Sequence, residues 1–472
     1  MSDRSIRQSS RMSQTEALMW AAESDPYLSS GMGSLFVLDT APDFDRFVDT
    51  LLDASVTLRR LREKVDDSIA VAAPRWVLDP EFDIYEHVRR VKLPGGAGLD
   101  ELTQLAAQVF QDPFDPNRPL WQFVVVEGGR SKRSISGAII LKVHHSVSDG
   151  IGALRLAEMY LDLERDPSPR SSPAQDQPDV ESRPPGFAES VLGEIDFLVR
   201  QQLDLTRQVA AEVSLWGADP ARARRAVREA LNVGRGLSDA FDGGFGDDGG
   251  SPLWKNRSRH RHLEVFDLDL AEVKGASKRL GVSINDLFVG GSVLAAARYH
   301  EEHDVHVERF NLSFITSTRT DDAAAGNSFV PVPFSVQAGV KPIEDHLDEV
   351  RATMTSSIED VSEAGLDLME RVSGFANLLP ETVVSKAGRR RAARQDWATS
   401  NLRGTPFPLY VAGGEVTAMY PVGPVAGTGF NLTAMSYNGA FHFGLHVDPV
   451  AVTDPEVLSH HLQQAYADVL AL

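Results

Sequence analysis

The hydrophobic pattern of the first 165 residues alternates between the spacing of helices and the spacing of strands. Ser13 and Glu16 stand three residues apart, as in a capping box, which predicts a helix through Ala22. Further helices are predicted over residues 44–65 and 99–110, and strands over residues 35–38, 87–93, 123–126 and 135–143. The first half is therefore predicted to combine a sheet with helices.

This pattern breaks at Arg165. Two proline-rich stretches, at residues 166–173 and 183–186, predict a flexible crossover that does not hold a core. Helical spacing returns over residues 187–216 and 220–233, and a glycine-rich stretch follows at residues 242–250. The glycine-rich stretch lacks the Gly-x-x-x-x-Gly-Lys order of a phosphate-binding loop, and no strand precedes it, so we predict a linker.

Helices and strands resume in the last part of the chain. Strands are predicted over residues 262–268 and 310–316, and helices over residues 270–280, 282–297 and 454–470, the second of these with Ser283 or Asn285 in position to cap it. Residues 432–439 and 441–448 are predicted to form a hairpin that turns at Asn438 and Gly439. The predicted divisions are residues 1–165, a linker with helices at residues 166–258, and residues 259–472.

The composition of the 472 residues narrows the class of protein. It is 42% apolar and 24% charged, which is typical of a globular protein, and the length allows two domains. Cysteine is absent, which excludes disulfides and Cys nucleophiles, and a net charge of −20 argues against general nucleic-acid binding. Neither an apolar signal core nor a run of 18 apolar residues occurs, so we expect a cytoplasmic protein without a membrane-spanning helix.

The candidate chemistry lies where the predicted strand 135–143 ends. His144 and His145 follow this strand directly, and Asp149 and Gly150 open a helical pattern. A neutral imidazole can take a proton from a hydroxyl near neutral pH, and loops at strand ends commonly carry catalytic groups. A histidine pair by itself is more often a pair of polar residues at a strand end. The complete pattern His-His-x-x-x-Asp-Gly, between a strand and a helix, favours catalysis.

This pattern resembles the signature of CoA-dependent acyltransferases and of peptide-synthetase condensation domains. Other stretches resemble the bacterial wax ester synthase/diacylglycerol acyltransferase family more narrowly. They are an Asp-Pro-x-Phe-Asp…His-Val-Arg-Arg stretch, Pro119-Leu120-Trp121, Asn285-Asp286, Arg319, Gly326-Asn327 and Ser400-Asn401. The last stretch departs from the family, because Leu402 and Arg403 replace its usual Val-Pro.

The resemblance implies a two-domain α/β fold of the chloramphenicol acetyltransferase type, with a mixed sheet and flanking helices in each half. It implies a tunnel between the halves that acyl-CoA and the acceptor, diacylglycerol or a long-chain alcohol, enter from different sides. His145 would be the general base, while His144 and Asp149 would shape the loop, Asp149 by bonding backbone N–H groups or Arg319. The other matched residues would position the loop or the substrate, namely Gly150, Pro119, Leu120, Trp121, Asn285, Asp286, Ser400 and Asn401. No cofactor is implied besides acyl-CoA as a substrate.

Two other functions stay open at this point. A condensation-type enzyme would take its acyl group from a carrier protein and would make specialised lipids. A catalytically silent lipid-binding protein could also use the same fold. Activity with free acyl-CoA would separate the main prediction from the condensation-type enzyme, and the presence of His145 argues against the silent protein.

A basic cluster stands out against the net charge of −20. It consists of Lys386, Arg389, Arg390, Arg391 and Arg394, and Trp397 follows it. The cluster is either a solvated helix face, a site for the phosphates of CoA, or a contact with anionic lipid at a membrane or lipid inclusion, with Trp397 at the headgroup boundary.

Other candidate sites are weaker. His300, His303 and His306 are close in the sequence, but the residues between them are typical of a solvated helix end, so no metal site is predicted. A Gly-x-Ser-x-Gly motif is absent, which argues against an α/β-hydrolase nucleophile.

Overall fold

The computed structural model describes residues 11–67, 74–129, 134–147, 153–168, 250–317, 329–364 and 381–472. The predicted helices at 187–216 and 220–233 and nearly all of the glycine-rich stretch lie outside these residues. The helices of the first half are α1 (Gln14–Glu23), α2 (Phe44–Thr57), α3 (Ile84–His87), α4 (Leu99–Gln111) and α5 (Ala153–Tyr160). Its strands are β1 (Gly31–Leu38), β2 (Glu63–Asp66), β3 (Arg75–Leu78), β4 (Val88–Lys92), β5 (Trp121–Glu127) and β6 (Gly137–His144).

The remaining elements follow the linker region. The helices are α6 (Leu270–Leu280), α7 (Ile284–Glu302), α8 (Ile343–Ala364), α9 (Glu381–Arg394) and α10 (Pro455–Ala471). The strands are β7 (His262–Asp269), β8 (Arg309–Ser317), β9 (Phe329–Gln337), β10 (Trp397–Arg403), β11 (Tyr410–Val411), β12 (Gly414–Val422), β13 (Phe430–Tyr437) and β14 (Ala440–Val447).

Side-chain caps determine where α1 and α2 begin. The Ser13 hydroxyl accepts a hydrogen bond from the Glu16 amide, and the Glu16 carboxylate accepts one from the Ser13 amide, which confirms the predicted capping box. Helix α2 ends at Thr57 and does not continue to residue 65, so that part of the prediction is wrong. Leu61 and Val65 continue the helical spacing, and both are buried. However, Leu61 lies in a 3₁₀ turn and Val65 lies in β2.

Each half contains a mixed sheet with flanking helices, as predicted. The first sheet has the order β11-β12-β1-β6-β5-β4, in which β4 and β5 are parallel and the other neighbours are antiparallel. The second has the order β7-β14-β13-β10-β8-β9, in which β10 runs parallel to both β13 and β8. Separate buried clusters of apolar side chains pack on these sheets.

Turn and edge residues shape the second sheet. Asn438 and Gly439 have φ angles of 44° and 88° between β13 and β14, which confirms the predicted hairpin and its turn. Pro331 and Pro333 lie in β9, which is an edge strand. On the open side of an edge strand no neighbouring carbonyl needs an N–H donor, so proline is tolerated there.

Strand β12 joins the two halves, because it comes from the second half in sequence and pairs with β1 in the first sheet. Strand β14 packs across it. The His446 Nδ1–H donates to the Gly423 carbonyl at 2.8 Å, just beyond the end of β12. Gly444 lies against Pro421, whose carbonyl oxygen would be only 1.9 Å from a Cβ at position 444. A larger residue at position 444 would therefore push the two sheets apart.

No single helix among the described residues combines the length and the apolar composition that a membrane crossing needs. Helices α6 and α7 meet both requirements only when they are counted together as a pair bent by 94°.

Candidate active site

The two histidines lie at the end of β6, an interior strand whose residues are all buried. The His144 amide donates to the Leu120 carbonyl at 2.9 Å, and the His145 amide donates to the Ser30 carbonyl at 3.2 Å. Neighbouring segments therefore hold the backbone of both residues. His145 begins a helical turn over residues 145–147 and is partly exposed.

The His144 imidazole is completely buried, and both of its ring nitrogens are engaged. Its Nε2 lies 3.2 Å from a Glu23 carboxylate oxygen, and its Nδ1 lies 2.7 Å from the Ser146 hydroxyl. The Ser146 amide also donates to Nδ1 at 3.3 Å, so the proton of the neutral ring belongs on Nε2, where it is donated to Glu23. This ring has no free lone pair for a substrate hydroxyl.

The side chain of Glu23, the last residue of α1, links that helix to Ser29 and Ser30 and to the end of β6. One carboxylate oxygen accepts from the Ser29 hydroxyl at 2.8 Å, and the other accepts from the Ser30 amide at 2.9 Å and from His144. Burial raises the pKa of Glu23, but the hydrogen bond from His144, the charge of that ring when it is protonated, and the bonds from Ser30 and Ser29 outweigh burial and leave the pKa below its ordinary value. Glu23 is therefore ionised at neutral pH.

The Pro119-Leu120-Trp121 stretch supports the histidine turn from the side of β5. Leu120 is buried and supplies the carbonyl that accepts from the His144 amide. Trp121 is also buried, and its indole N–H donates to the Leu61 carbonyl at 2.8 Å. The rings of His87 and Trp121 stack at 4.5 Å between centroids, and the His87 Nδ1–H donates to the Trp121 carbonyl at 2.8 Å.

The prediction that a strand begins at His87 is wrong, because His87 is the last residue of helix α3. Asp83 caps this helix through the Tyr85 amide at 2.9 Å. The strand begins one residue later, at Val88. The pattern His-Val-Arg-Arg therefore spans a junction between a helix and a strand.

A cavity of about 320 Å³ opens beside His144. That volume lies within the range of small-molecule sites. Its lining combines apolar and aromatic side chains with charged ones, among them Trp20, Phe114, Leu120, Glu23, Arg259 and Arg261. The rings of Trp20 and Phe114 meet the His144 ring edge to face, at 6.4 and 6.0 Å between centroids.

Lys142 lies two residues before His144, on the same face of β6. Its ammonium group donates to the Asp112 carbonyl and lies 4.3 Å from the centroid of the Phe114 ring. Burial lowers the pKa of Lys142 to about 8, although the charges of Asp112 and Glu23 oppose that shift. Lys142 is thus a further titratable group near Glu23 and His144.

The other predicted site residues are dispersed. Asp149, Gly150, Arg319, Gly326 and Asn327 lie outside the described residues. Asp286 completes a capping box with Ser283 at the start of α7, with distances of 2.8 and 3.0 Å, and Asn285 lies beside it. Ser400 and Asn401 lie within β10, paired with Thr433 and Ala434 of β13. None of the described residues in these motifs lines the cavity beside His144.

The basic cluster occupies α9, but its members differ in environment. Lys386, Arg389 and Arg390 are exposed, and Arg389 lies 3.6 Å from Asp25 and 3.8 Å from the centroid of the Tyr27 ring. Burial lowers the pKa of Arg391. The prediction that Trp397 lies at a headgroup boundary is wrong, because Trp397 is fully buried and stacks on Phe430 at 5.4 Å.

The histidines near the end of α7 do not form a cluster. His300 is buried, not solvated as predicted, and its Nε2 lies 2.6 Å from the Ser251 hydroxyl while its Nδ1–H donates to the Ala296 carbonyl. His303 bonds the Tyr299 carbonyl at 2.7 Å, and His306 is exposed. Within the described ranges, no group of three or more His, Asp or Glu side chains is arranged to hold a metal ion.

Sequence reasoning did not identify Glu23 as a site residue. The available signal was its place in α1. A negative charge at the C-terminal end of a helix opposes the helix dipole, and the last turn of α1 has no basic residue. A carboxylate in such a position is held there by contacts outside the helix.

Comparison with known proteins gives consistent matches along the chain. The sequence pattern of the wax ester synthase/diacylglycerol acyltransferase catalytic domain matches residues 12–288, and that of the WS/DGAT C-terminal domain matches residues 325–469. A protein of Mycobacterium tuberculosis strain H37Rv, assigned as a diacylglycerol O-acyltransferase, is 32% identical over 100% of this chain and 94% of its own length. A second, named tgs1, from strain CDC 1551, is 24% identical over 96% of this chain and 94% of its own length.

Solved structures share the fold. The wax ester synthase/diacylglycerol acyltransferase from Marinobacter aquaeolei VT8 aligns with a TM-score of 0.63 at 19% identity, over 98% of this chain and 100% of that one. The first condensation domain of the calcium-dependent antibiotic synthetase aligns with a TM-score of 0.57 at 16% identity, over 98% and 96%.

Proposed function

Because the chain belongs to the wax ester synthase/diacylglycerol acyltransferase family and is an acyltransferase of that type, we propose that it transfers a fatty acyl group from acyl-CoA to an alcohol. The acceptor is the free hydroxyl of diacylglycerol, which would yield triacylglycerol, or of a long-chain alcohol, which would yield a wax ester. No cofactor takes part besides acyl-CoA as the donor substrate.

We assign the general base to His145. The observation that carries this assignment is the full engagement of its neighbour, since both ring nitrogens of His144 are bonded and that ring is completely buried. His145 is partly exposed at the start of a helical turn, and the cavity of about 320 Å³ opens beside the preceding residue. The residues that line this cavity include His144 and not His145, which follows it directly in the chain. A partly exposed imidazole in that place can take the proton of a lipid hydroxyl.

In the proposed reaction, the imidazole of His145 takes the hydroxyl proton while the alcohol oxygen attacks the thioester carbonyl carbon. The carbon–sulfur bond then breaks, and the CoA thiolate takes the proton from the imidazolium. The products are an ester and free CoA thiol. Direct attack needs no covalent acyl-enzyme, which suits a chain without cysteine.

The test is an assay of the purified protein with one labelled acyl-CoA and a panel of acceptors, including diacylglycerol, monoacylglycerol and long-chain alcohols. Labelled triacylglycerol or wax ester is the expected product. Labelled product from a carrier-bound acyl group but not from acyl-CoA would favour a condensation-type enzyme. Binding of acyl-CoA without any product would favour a lipid-binding protein. Dialysis against a strong chelator is expected to leave the rate unchanged, because the hydroxyl is activated by an imidazole.

We further propose that the protein works at the surface of the inner membrane or of lipid inclusions, where its acceptor is found. Lys386 and Arg390 are the exposed members of the basic cluster with no acidic partner among the described residues. They are suited to contact anionic lipid, or else the phosphates of CoA.

A further inference from the structure

Glu23 connects α1 to the histidine turn by an unbroken series of hydrogen bonds. Its carboxylate accepts from the Ser30 amide at 2.9 Å, and the carbonyl of the same Ser30 accepts from the His145 amide at 3.2 Å. The same carboxylate oxygen also binds His144 Nε2 at 3.2 Å. A displacement of Glu23 would therefore change the positions of both histidines.

The position of Glu23 within α1 supports a role outside that helix. A carboxylate at the C-terminal end of a helix is electrostatically unfavourable, because the last carbonyl groups carry partial negative charge. Glu16, the other acidic residue of α1, lies in the first turn, where it favours the helix and closes the capping box. Glu23 gives α1 no such advantage, and its polar contacts with other described residues, Ser29, Ser30 and His144, lie beyond the helix.

The contacts of Glu23 also decide which ring form His144 adopts. An ionised carboxylate accepts only, so it requires a proton on Nε2, and the Ser146 amide requires a lone pair on Nδ1. An amide side chain at position 23 could still accept from Ser30. Its oxygen would bind Ser30 and His144 without a negative charge, so both hydrogen bonds would weaken, and its NH₂ group would require the Ser29 hydroxyl to turn and accept.

We propose that Glu23 is a positioning residue for the acyltransfer reaction proposed above, on which this inference rests. It holds His144 and Ser30 by its carboxylate, and it holds the backbone of His145 through the Ser30 carbonyl. His145 remains the residue that touches the substrate.

The kinetic test compares Glu23→Gln with Glu16→Gln, which removes a carboxylate charge from the same helix without touching the histidine turn. We expect Glu23→Gln to lower kcat by about 10- to 100-fold with KM for acyl-CoA within about threefold, because misplacement of a catalytic group by about 1 Å has that size of effect. Glu16→Gln should keep kcat within about twofold. Equal kcat values in the two variants, or a loss confined to KM, would overturn the proposal.

A second measurement does not depend on activity. Hydrogen–deuterium exchange of the peptide containing residues 144–147 reports on the His145 amide, which donates to Ser30. Glu23→Gln should speed exchange at this amide by about tenfold, with exchange in β5 unchanged, whereas general loosening of the fold would speed both. Unchanged exchange at His145 would refute the positioning role even if the wild-type protein transferred no acyl group. Absence of acyl transfer combined with faster exchange would refute only the proposed reaction.

Glu23→Asp covers the case in which the amide variant does not accumulate as folded protein. Its shorter side chain keeps the negative charge but withdraws the carboxylate from His144 and Ser30. The same pattern is expected, with a lower kcat, an unchanged KM and faster exchange at His145. A variant with wild-type kcat and wild-type exchange would show that the position of this carboxylate does not matter.

Discussion

The hydroxyl of Tyr420 in β12 donates a hydrogen bond to the Asp267 carboxylate in β7 at 2.9 Å, and this contact joins the two sheets. The other oxygen of Asp267 accepts from His442 Nδ1 of β14. Burial, reinforced by the charge of Asp267 and the hydrogen bond to it, raises the pKa of Tyr420, so its hydroxyl remains a donor across the physiological range. The first sheet thus depends on a side chain of the second.

Tyr420→Phe removes only the hydroxyl that makes this contact. We expect the protein to lose about 1–2 kcal/mol of unfolding free energy, because a buried tyrosine hydroxyl bonded to a carboxylate is replaced by a hydrogen atom. Urea unfolding followed by circular dichroism measures the loss. Tyr85→Phe, at a side chain that is 62% exposed, is the matched control and should leave the urea midpoint unchanged. Equal midpoints for both variants would show that the contact adds nothing to stability.

His145→Ala should lower turnover by roughly 100- to 10,000-fold, the usual contribution of a positioned general base. The thermal midpoint should stay close to that of the wild type, because His145 is partly exposed. His144→Ala should reduce turnover less and stability more, by about 1–3 kcal/mol, since it leaves the Glu23 carboxylate without one of its partners. Equal or reversed losses of turnover would show that the base is assigned to the wrong histidine.

The buried carboxyl group of Asp396 should make the stability of the fold depend on pH. Asp396 is buried, and its carboxylate accepts from the Ser251 amide at 2.7 Å and from the Asn311 amide at 2.8 Å. Burial raises the pKa of Asp396 to about 7, against the effect of those hydrogen bonds. A carboxyl group whose folded pKa is raised stabilises the fold when protonated, and this stability is lost as the pH rises from about 4 to about 7.

Asp396→Asn removes this titration. The urea midpoint of the variant relative to the wild type should therefore increase between pH 5 and pH 8, whatever its value at pH 5. Asp49→Asn, on the exposed side of α2, is the control and should show no such trend. A constant difference between Asp396→Asn and the wild type over this range would contradict the raised pKa.

The basic cluster can be tested with the double variant Lys386→Glu and Arg390→Glu. If α9 holds the phosphates of CoA, KM for acyl-CoA in detergent should rise by about tenfold. If α9 contacts anionic lipid, KM should stay constant, and binding to phosphatidylserine vesicles should weaken and lose its sensitivity to salt, because each basic residue contributes about 1 kcal/mol near such a surface.

Lys274→Glu with Lys278→Glu, on exposed positions of α6, makes the same change in net charge and is the control. Neither KM nor vesicle binding should respond to it. If both double variants behave alike, the cluster on α9 is a solvated helix face.

Local signals in the sequence predicted much of the fold. The capping box at Ser13, the helix at residues 270–280 and the turn at Asn438 were all predicted, because caps and turns are determined by residues a few positions apart. The end of α2 was missed because Leu61 and Val65 continue a helical pattern that the backbone does not follow. Hydrophobic spacing alone does not distinguish a helix that continues from a 3₁₀ turn followed by a strand.

The candidate site was predictable only in part. The histidine turn follows from a strand pattern and a motif, but Glu23 lies 121 residues from His144 in the sequence, and no motif connects them. The burial of His300 and Trp397 likewise depends on distant segments, such as Ser251 for the histidine and Phe430 for the tryptophan. Tertiary contacts of this kind leave no periodic signal.

The pairing of β1 with β12 has a consequence for synthesis on the ribosome. When β6 has been made, its partner β1 still presents an open edge, and the residue that completes the sheet, Val422, follows His144 by 278 positions (422 minus 144). At a synthesis rate of about 5–20 residues per second, the edge of β1 remains unpaired for roughly 14–56 s. During this time its free N–H and C=O groups can pair with another nascent chain. Translation speed and chaperone access over this interval should therefore affect the yield of native protein.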